Sequence, residues 1–285
     1  MNSQHLASAY AHCGEALRAG NRDEWLACLF APPDKRLHLQ ALYAFANELG
    51  SLRDKISQPM AGEIRLQYWR DALEGRDHGG TQANPLASAL LDTITRCRLP
   101  LPPFLALIDA RLFDVYDDPM PDVAALEAYG GETRSAIIRL TCLILAGGND
   151  PGGADACGHA GVALAIAGIF RGLPRDAARG QVFLPGDILQ RAGLQAADIV
   201  ARRDSPALRS ALTELRILAR CHAATALGDP SGKNPDIALA FLLLPVAEMF
   251  LRASEKPGYH PFESPLEIPQ WRRQWVMWLA ARRTG

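Results

Sequence analysis

The chain has 285 residues, 48% of them hydrophobic and 21% charged, with a formal net charge of −1. That composition buries a sizeable core and is too apolar for a disordered chain. Near-neutral charge without a long basic stripe excludes a nucleic-acid partner and leaves any contact with an anionic membrane to a local patch.

The N-terminal stretch MNSQHLASAYAHC has neither the basic and apolar regions of an export signal nor the Arg-rich composition of a transit peptide. The first clear helical period is 37–56, where Leu42, Phe45, Leu49, Leu52 and Ile56 recur at steps of three and four. Similar stripes run through 60–75, 84–96, 103–117, 121–146, 159–171, 205–227, 236–254 and 265–283. The most apolar run, IALAFLLLPVAEMFL at 237–251, is interrupted by Pro245 and Glu248 and falls short of the ~20 residues of a spanning helix, so it reads as a buried one. Between the stripes stand APPD (31–34), Gly79-Gly80, LPLPP (99–103), GGNDPGG (147–153), GDPSGKNPD (228–236) and KPGYHP (256–261). No sustained alternation marks a strand and no repeat is visible, which predicts an all-α protein of about ten helices in a single domain over 1–285. Six scattered cysteines (Cys13, Cys28, Cys97, Cys142, Cys157, Cys221) form no CxxC pair, and a reducing, cytoplasmic setting is expected.

The familiar phosphate-loop, zinc-protease, serine-hydrolase and dinucleotide motifs are absent. The seven histidines (His5, His12, His38, His78, His159, His222, His260) show no ligand spacing and read as surface or capping residues. Two helices carry more information. Tyr43, Asn47, Gly50 and Asp54 share one face at steps of four, three and four. Gly161, Ala165, Gly168 and Gly172 repeat that spacing as a nearly bare face, either a close helix crossing or the floor of a cavity.

In order along the chain, ALYAFANELGSLRD (41–54), YWRDALEG (68–75), NPLASAL (84–90), LIDARLFDVYDD (107–118), LEAYGGETRS (126–135) and GVALAIAGIFRGLPRDAARGQVFLPGDIL (161–189) resemble the squalene/phytoene synthase family over nearly the whole length. The resemblance implies an isoprenoid synthase-like helical bundle around a central cavity, in which two DxxxD motifs hold Mg²⁺ ions against the diphosphate of a prenyl substrate. Mg²⁺ takes hard oxygen ligands, and a leaving diphosphate needs its charge neutralised. Carried over onto this sequence, the first motif falls on Gly50, Ser51 and Asp54, and the second on Gly168, Gly172 and Asp176. Four ligand positions are thus Gly or Ser, and Asp54 and Asp176 are the only remaining candidates for metal.

Arg65, Trp69, Arg171 and Arg179 remain as candidates for binding an isoprenoid or its diphosphate. Each has a plainer reading: Asp54 and Asp176 as surface carboxylates, Arg171 as a helix C-terminal cation, and Arg65 with Tyr68 and Trp69 as a structural cation-π cluster. Asp117 and Asp118 are expected to end a helix before Pro119. Within the family, AGEIRLQYWRDAL (61–73), the Arg-Gly-Leu-Pro turn at 171–174 and the Trp/Arg-rich C-terminus resemble the branch of mitochondrial complex I assembly factors. That implies a non-catalytic role with complex I subunits or assembly intermediates as partners, at the inner membrane surface. The alternative is an active head-to-head prenyltransferase, which would need Mg²⁺. In WRRQWVMWLAARRTG at the C-terminus, Trp271, Trp275 and Trp278 share a face. Aromatics at this spacing are expected in the core, with an interfacial helix as the other reading.

Overall fold

A computed structural model describes residues 3–76, 80, 83–230, 234–263 and 266–283; His78, Gly79, the 231–233 part of one predicted turn and Pro265 lie outside them. All regular structure among the described residues is helical. The helices are α1 (Ser3–Gly20), α2 (Arg22–Leu29), α3 (Pro33–Gly50), α4 (Pro59–Glu74), α5 (Pro85–Arg96), α6 (Pro102–Tyr116) and α7 (Val123–Gly130). They continue with α8 (Ala136–Leu145), α9 (Ala154–Ala178), α10 (Gly186–Arg191), α11 (Ala196–Val200), α12 (Pro206–Gly228), α13 (Leu244–Ala253) and α14 (Gln270–Arg282).

Several prolines that punctuate the sequence open helices. Pro33, Pro59, Pro85, Pro102 and Pro206 each occupy a first helical position, where a backbone N–H has no intrahelical partner to lose. Side-chain caps reinforce several helix starts. Asn84 accepts from the Leu86 and Ala87 amides, Asp122 from Ala125 and Ser205 from Leu208.

Five predicted spans need correction, one of them the 265–283 helix, which begins only at Gln270 behind Pro269. The 37–56 helix stops at Gly50, because the Ser51 amide and hydroxyl both turn back to the Asn47 carbonyl, and Asp54 sits on a separate 3-10 turn, Arg53–Lys55. The 121–146 span is α7 and α8 joined by a π-helical turn, Gly131–Ser135. The 236–254 span divides into a 3-10 turn, Ala238–Phe241, and α13. The 159–171 helix is really α9, which starts earlier and runs through Pro174 to Ala178. α1 and α2 escaped the periodicity because much of their buried face is small: Ala9, Cys13, Ala27 and Cys28.

Two large apolar cores result. One, built around Leu42, Phe45, Leu90 and Phe104, unites α1, α3, α4, α5, α6 and α8. The other, around Ile166, Phe170, Leu212 and Leu215, centres on the packing of α9 against α12. α9 is long and apolar enough to cross a membrane, but 67% of its most apolar window is buried inside the protein, as a core helix requires. Its crossing with the π-turn is tight: a Cβ on Gly161 would overlap the backbone of Ser135.

Candidate functional site

Between the two cores lies a cavity of ≈350 Å³, lined from α3 by Asn47 and Gly50, from α6 by Arg111 and Asp114, and from α9 by Gly168 and Asp176. The π-turn adds Thr133 and Arg134, and π-turns of this kind often re-aim side chains at functional sites.

At one end three aspartates meet three arginines. Arg179 Nη1 donates to Asp54 Oδ1 at 2.7 Å and its Nη2 lies 3.3 Å from Asp176 Oδ1. Arg175 bridges the same two acids, 3.3 Å from Asp54 Oδ2 and 3.1 Å from Asp176 Oδ1. Asp117, at the left-handed C-terminal position of α6, accepts from Arg53 Nε at 3.0 Å and lies 3.5 Å from Arg179 Nε. Asp176 is only 7% exposed in its side chain; burial raises its carboxyl above the ordinary range and the two guanidiniums pull it partly back.

Deeper in, Arg111 Nη1 donates to Asp114 at 2.8 Å and to the Tyr129 hydroxyl at 2.7 Å, and that hydroxyl donates to the other Asp114 oxygen at 2.8 Å. Tyr129 also joins Phe113 and Phe183 in an aromatic wall. On the third side Arg134 Nη1 donates to the buried Glu24 at 2.6 Å. Burial raises the Glu24 carboxyl, and Arg134 opposes the shift. The lining therefore carries four arginines (Arg111, Arg134, Arg175, Arg179) and four carboxylates (Glu24, Asp54, Asp114, Asp176).

Of the residues singled out in the sequence, Asn47, Asp54, Gly168, Asp176 and Arg179 line this cavity. Gly172 adjoins it: a Cβ there would come within 2.5 Å of Asp176 Oδ2. Gly168 has nothing within 4 Å of such a Cβ, so its part of the bare stripe opens on space while Gly161 packs. Arg171 lines a small adjoining pocket together with Glu24, Arg134 and Gly168, 3.9 Å from Asp23 and with its guanidinium 4.4 Å from the Phe250 ring centre. Arg65 and Trp69 line a separate cavity of ≈380 Å³ beside Tyr68, with Trp69 edge-on to Phe45. Tyr43 is buried and accepts from the Thr141 hydroxyl at 3.2 Å, without reaching the central cavity lining.

Arg175, Arg111, Asp114 and Tyr129 carry much of the site and were not among the sequence candidates. The one available signal was their place in the matched segments 107–118, 126–135 and 161–189. Three histidines also differ from their expected surface or capping roles: His38 Nδ1 lies 3.0 Å from the hydroxyls of both Tyr10 and Thr93, His159 and His222 meet at 2.8 Å between α9 and α12, and His222 reaches Glu127 at 3.1 Å. Trp271 and Trp275 do not enter the core; they are 63% and 55% exposed, and Met277 fills the buried position of α14 instead.

The profile of the squalene/phytoene synthase family matches residues 17–278. The chain belongs to that family. Among relatives, NADH dehydrogenase (ubiquinone) complex I assembly factor 6 of Rattus norvegicus is 26% identical over 281 residues, covering 95% of this chain and 84% of that protein. The Homo sapiens protein of the same name is 27% identical over 256 residues, 90% and 77% of the two chains. Presqualene diphosphate synthase of Sinorhizobium fredii is 26% identical over 193 residues, 67% and 68%. In structure, a dehydrosqualene synthase solved with a ligand matches with a TM-score of 0.79 at 17% identity, covering 98% of both chains. Squalene synthase HpnC from Alicyclobacillus acidocaldarius matches with a TM-score of 0.74 at 24% identity over 92% of this chain and 98% of that one. These two likenesses show the shared fold.

A squalene/phytoene synthase that uses Mg²⁺ needs clustered carboxylates. Here the donor set does not fit: Gly50, Gly168 and Gly172 have no side-chain oxygen, Ser51 spends its hydroxyl on the Asn47 carbonyl, and Asp54 and Asp176 are both held by Arg175 and Arg179. Above Gly50 the nearest side chain to an added Cβ is the Arg111 guanidinium at 3.5 Å.

Proposed function

We propose that this chain is a non-catalytic member of its family that works in the assembly of respiratory complex I, as the relatives named for that role do. Its partners on this reading are complex I subunits or assembly intermediates, its place is the surface of the membrane that holds them, and 1–285 acts as one unit. The observation that carries the proposal is the ion-pair lattice of Asp54, Asp176, Arg175 and Arg179 at one end of the cavity, where the family resemblance would call for metal ligands. Charge balance in the lining supports it. An isoprenyl diphosphate meets as many carboxylates as arginines and has to displace Asp54 from Arg175 and Arg179 before it gains a cationic partner. Ionising an allylic diphosphate requires stabilisation of the departing charge, and a guanidinium already committed to a carboxylate supplies little of it.

The experiment is direct. Purified protein given Mg²⁺ and farnesyl or geranylgeranyl diphosphate releases no pyrophosphate; steady turnover refutes the non-catalytic reading and restores the prenyltransferase. Deleting the gene lowers assembled complex I, measured on native gels, and normal assembly in the deletion strain refutes the partner assignment.

A further inference from the structure

α14 lies against α2 and α13 with Met277 fully buried, and Arg273 is tied to Asp23, which anchors one side of the helix to the protein. The opposite side is unusual. Trp271 and Trp275 stand open to solvent, Trp275 stacks on Trp278 at 4.9 Å with the rings 26° apart, and Leu279 is also exposed. Arg272 lies over the Trp271 ring at 5.2 Å and Arg282 over the Trp278 ring at 4.2 Å. No Asp or Glu occurs from 270 to 283, and among the described residues Arg272, Arg282 and Arg283 pair with no carboxylate, whereas Arg53, Arg175 and Arg179 at the cavity are all paired. Beside this face a groove of ≈240 Å³ between α14 and α2, lined by Leu26, Leu29, Phe30, Met277 and Trp278, extends the apolar strip.

We infer that this face is the membrane-docking surface of the protein and that its occupant is a bilayer containing anionic phospholipid. Indole rings settle at the level of lipid headgroups, where one edge of the ring is apolar and the other can donate a hydrogen bond. Arginines interleaved with them keep their stems along the rings and direct their charge to lipid phosphates. The charge argument selects the occupant. A second copy of the chain packed about a two-fold axis would set these unpaired arginines against their own kind, while an anionic bilayer neutralises all three. The inference specifies the membrane-surface part of the proposed function and rests on that part alone; it holds or fails independently of catalysis and of complex I.

The test is co-sedimentation of the full-length protein with vesicles of phosphatidylcholine, pure or mixed with phosphatidylglycerol. Binding is expected to the mixed vesicles, to weaken steeply as salt is raised, and to be absent from pure phosphatidylcholine. Substituting R272Q, R282Q and R283Q together lowers the partition coefficient on the order of a hundredfold, from three arginines each contributing about a factor of five at an anionic surface. W271A with W275A reduces the blue shift of tryptophan emission on binding, leaving only the share from Trp278, and also lowers partitioning. All five side chains are exposed or at the end of α14, and an unchanged melting temperature verifies that the variants fold. Wild-type protein that remains in the supernatant with mixed vesicles overturns the inference, including when a protein from the same membrane retains it. Vesicle binding that neither set of substitutions alters also overturns the assignment to α14, while leaving a membrane-surface location in place.

Discussion

Replacing Gly161 and Gly168 with alanine, one at a time, separates the two meanings of the bare stripe on α9. At Gly161 the new methyl overlaps the backbone of Ser135 as well as its hydroxyl. Ser135 is held there by donating to the Gly158 carbonyl at 2.7 Å, so relief requires the π-turn and α9 to separate. Overpacking of this kind costs about 1–3 kcal/mol, and the upper end applies because the obstacle is main chain. Alanine returns about 1 kcal/mol in helix propensity, leaving a net loss of about 2 kcal/mol. At Gly168 the methyl enters open space, so only the propensity gain remains, about 0.5–1 kcal/mol in favour of the fold. With roughly 2–4 °C per kcal/mol for a chain of this size, G161A lowers the melting temperature by about 4–8 °C and G168A raises it by about 1–4 °C. Circular dichroism at 222 nm, scanned at two rates to verify equilibrium, reads both shifts. A G161A protein as stable as G168A refutes the claim that the first glycine exists for the helix crossing and the second for the cavity.

The ionic end of the cavity yields two more predictions. Arg179→Met removes partners from Asp54, Asp117 and Asp176 together and leaves the buried Asp176 with Arg175 alone, so the protein loses roughly 3 kcal/mol, the low end for breaking a buried pair; chemical denaturation measures it, and a loss below ~1 kcal/mol means the lattice is ornamental to stability. Asp176→Asn tests the pH response. Because burial raises the native carboxyl above its unfolded value of about 3.9, the native state binds the extra proton first, and this group's contribution grows as pH falls from neutral through the raised value. The stability of wild type relative to D176N therefore increases toward acid pH, and a flat or falling difference shows that the arginines, not desolvation, set this carboxyl.

Long amphipathic segments were legible because their apolar residues are large: α4, α5, α6 and α12 follow their predicted spans to within two residues. The signal failed where packing uses small side chains, as in α1 and α2, and where a local hydrogen bond ends a helix that the apolar pattern would continue, as Ser51 does after Gly50. Pro174 misled in the other direction. Its ring normally breaks a helix, so Arg175 was left beyond the predicted end, yet α9 continues and places Gly168, Gly172, Arg175, Asp176 and Arg179 along one side. The resemblance drew attention to positions 50, 51, 168 and 172, but it carried no information on the ion pairs nearby, because Arg175 and Asp54 are 121 residues apart and only the fold brings them within 3.3 Å.

Those ion pairs explain how the cavity persists without a metal-binding donor set. Two aspartates left facing each other across the gap between the cores would repel and pay desolvation without compensation. Arg175 on α9 and Arg179 just past its end each reach across to Asp54 on the far wall while holding Asp176 on their own, so the two acids are bridged by side chains of the chain itself. Such a bridge needs no substrate to assemble it and ties the turn that follows α3 to α9.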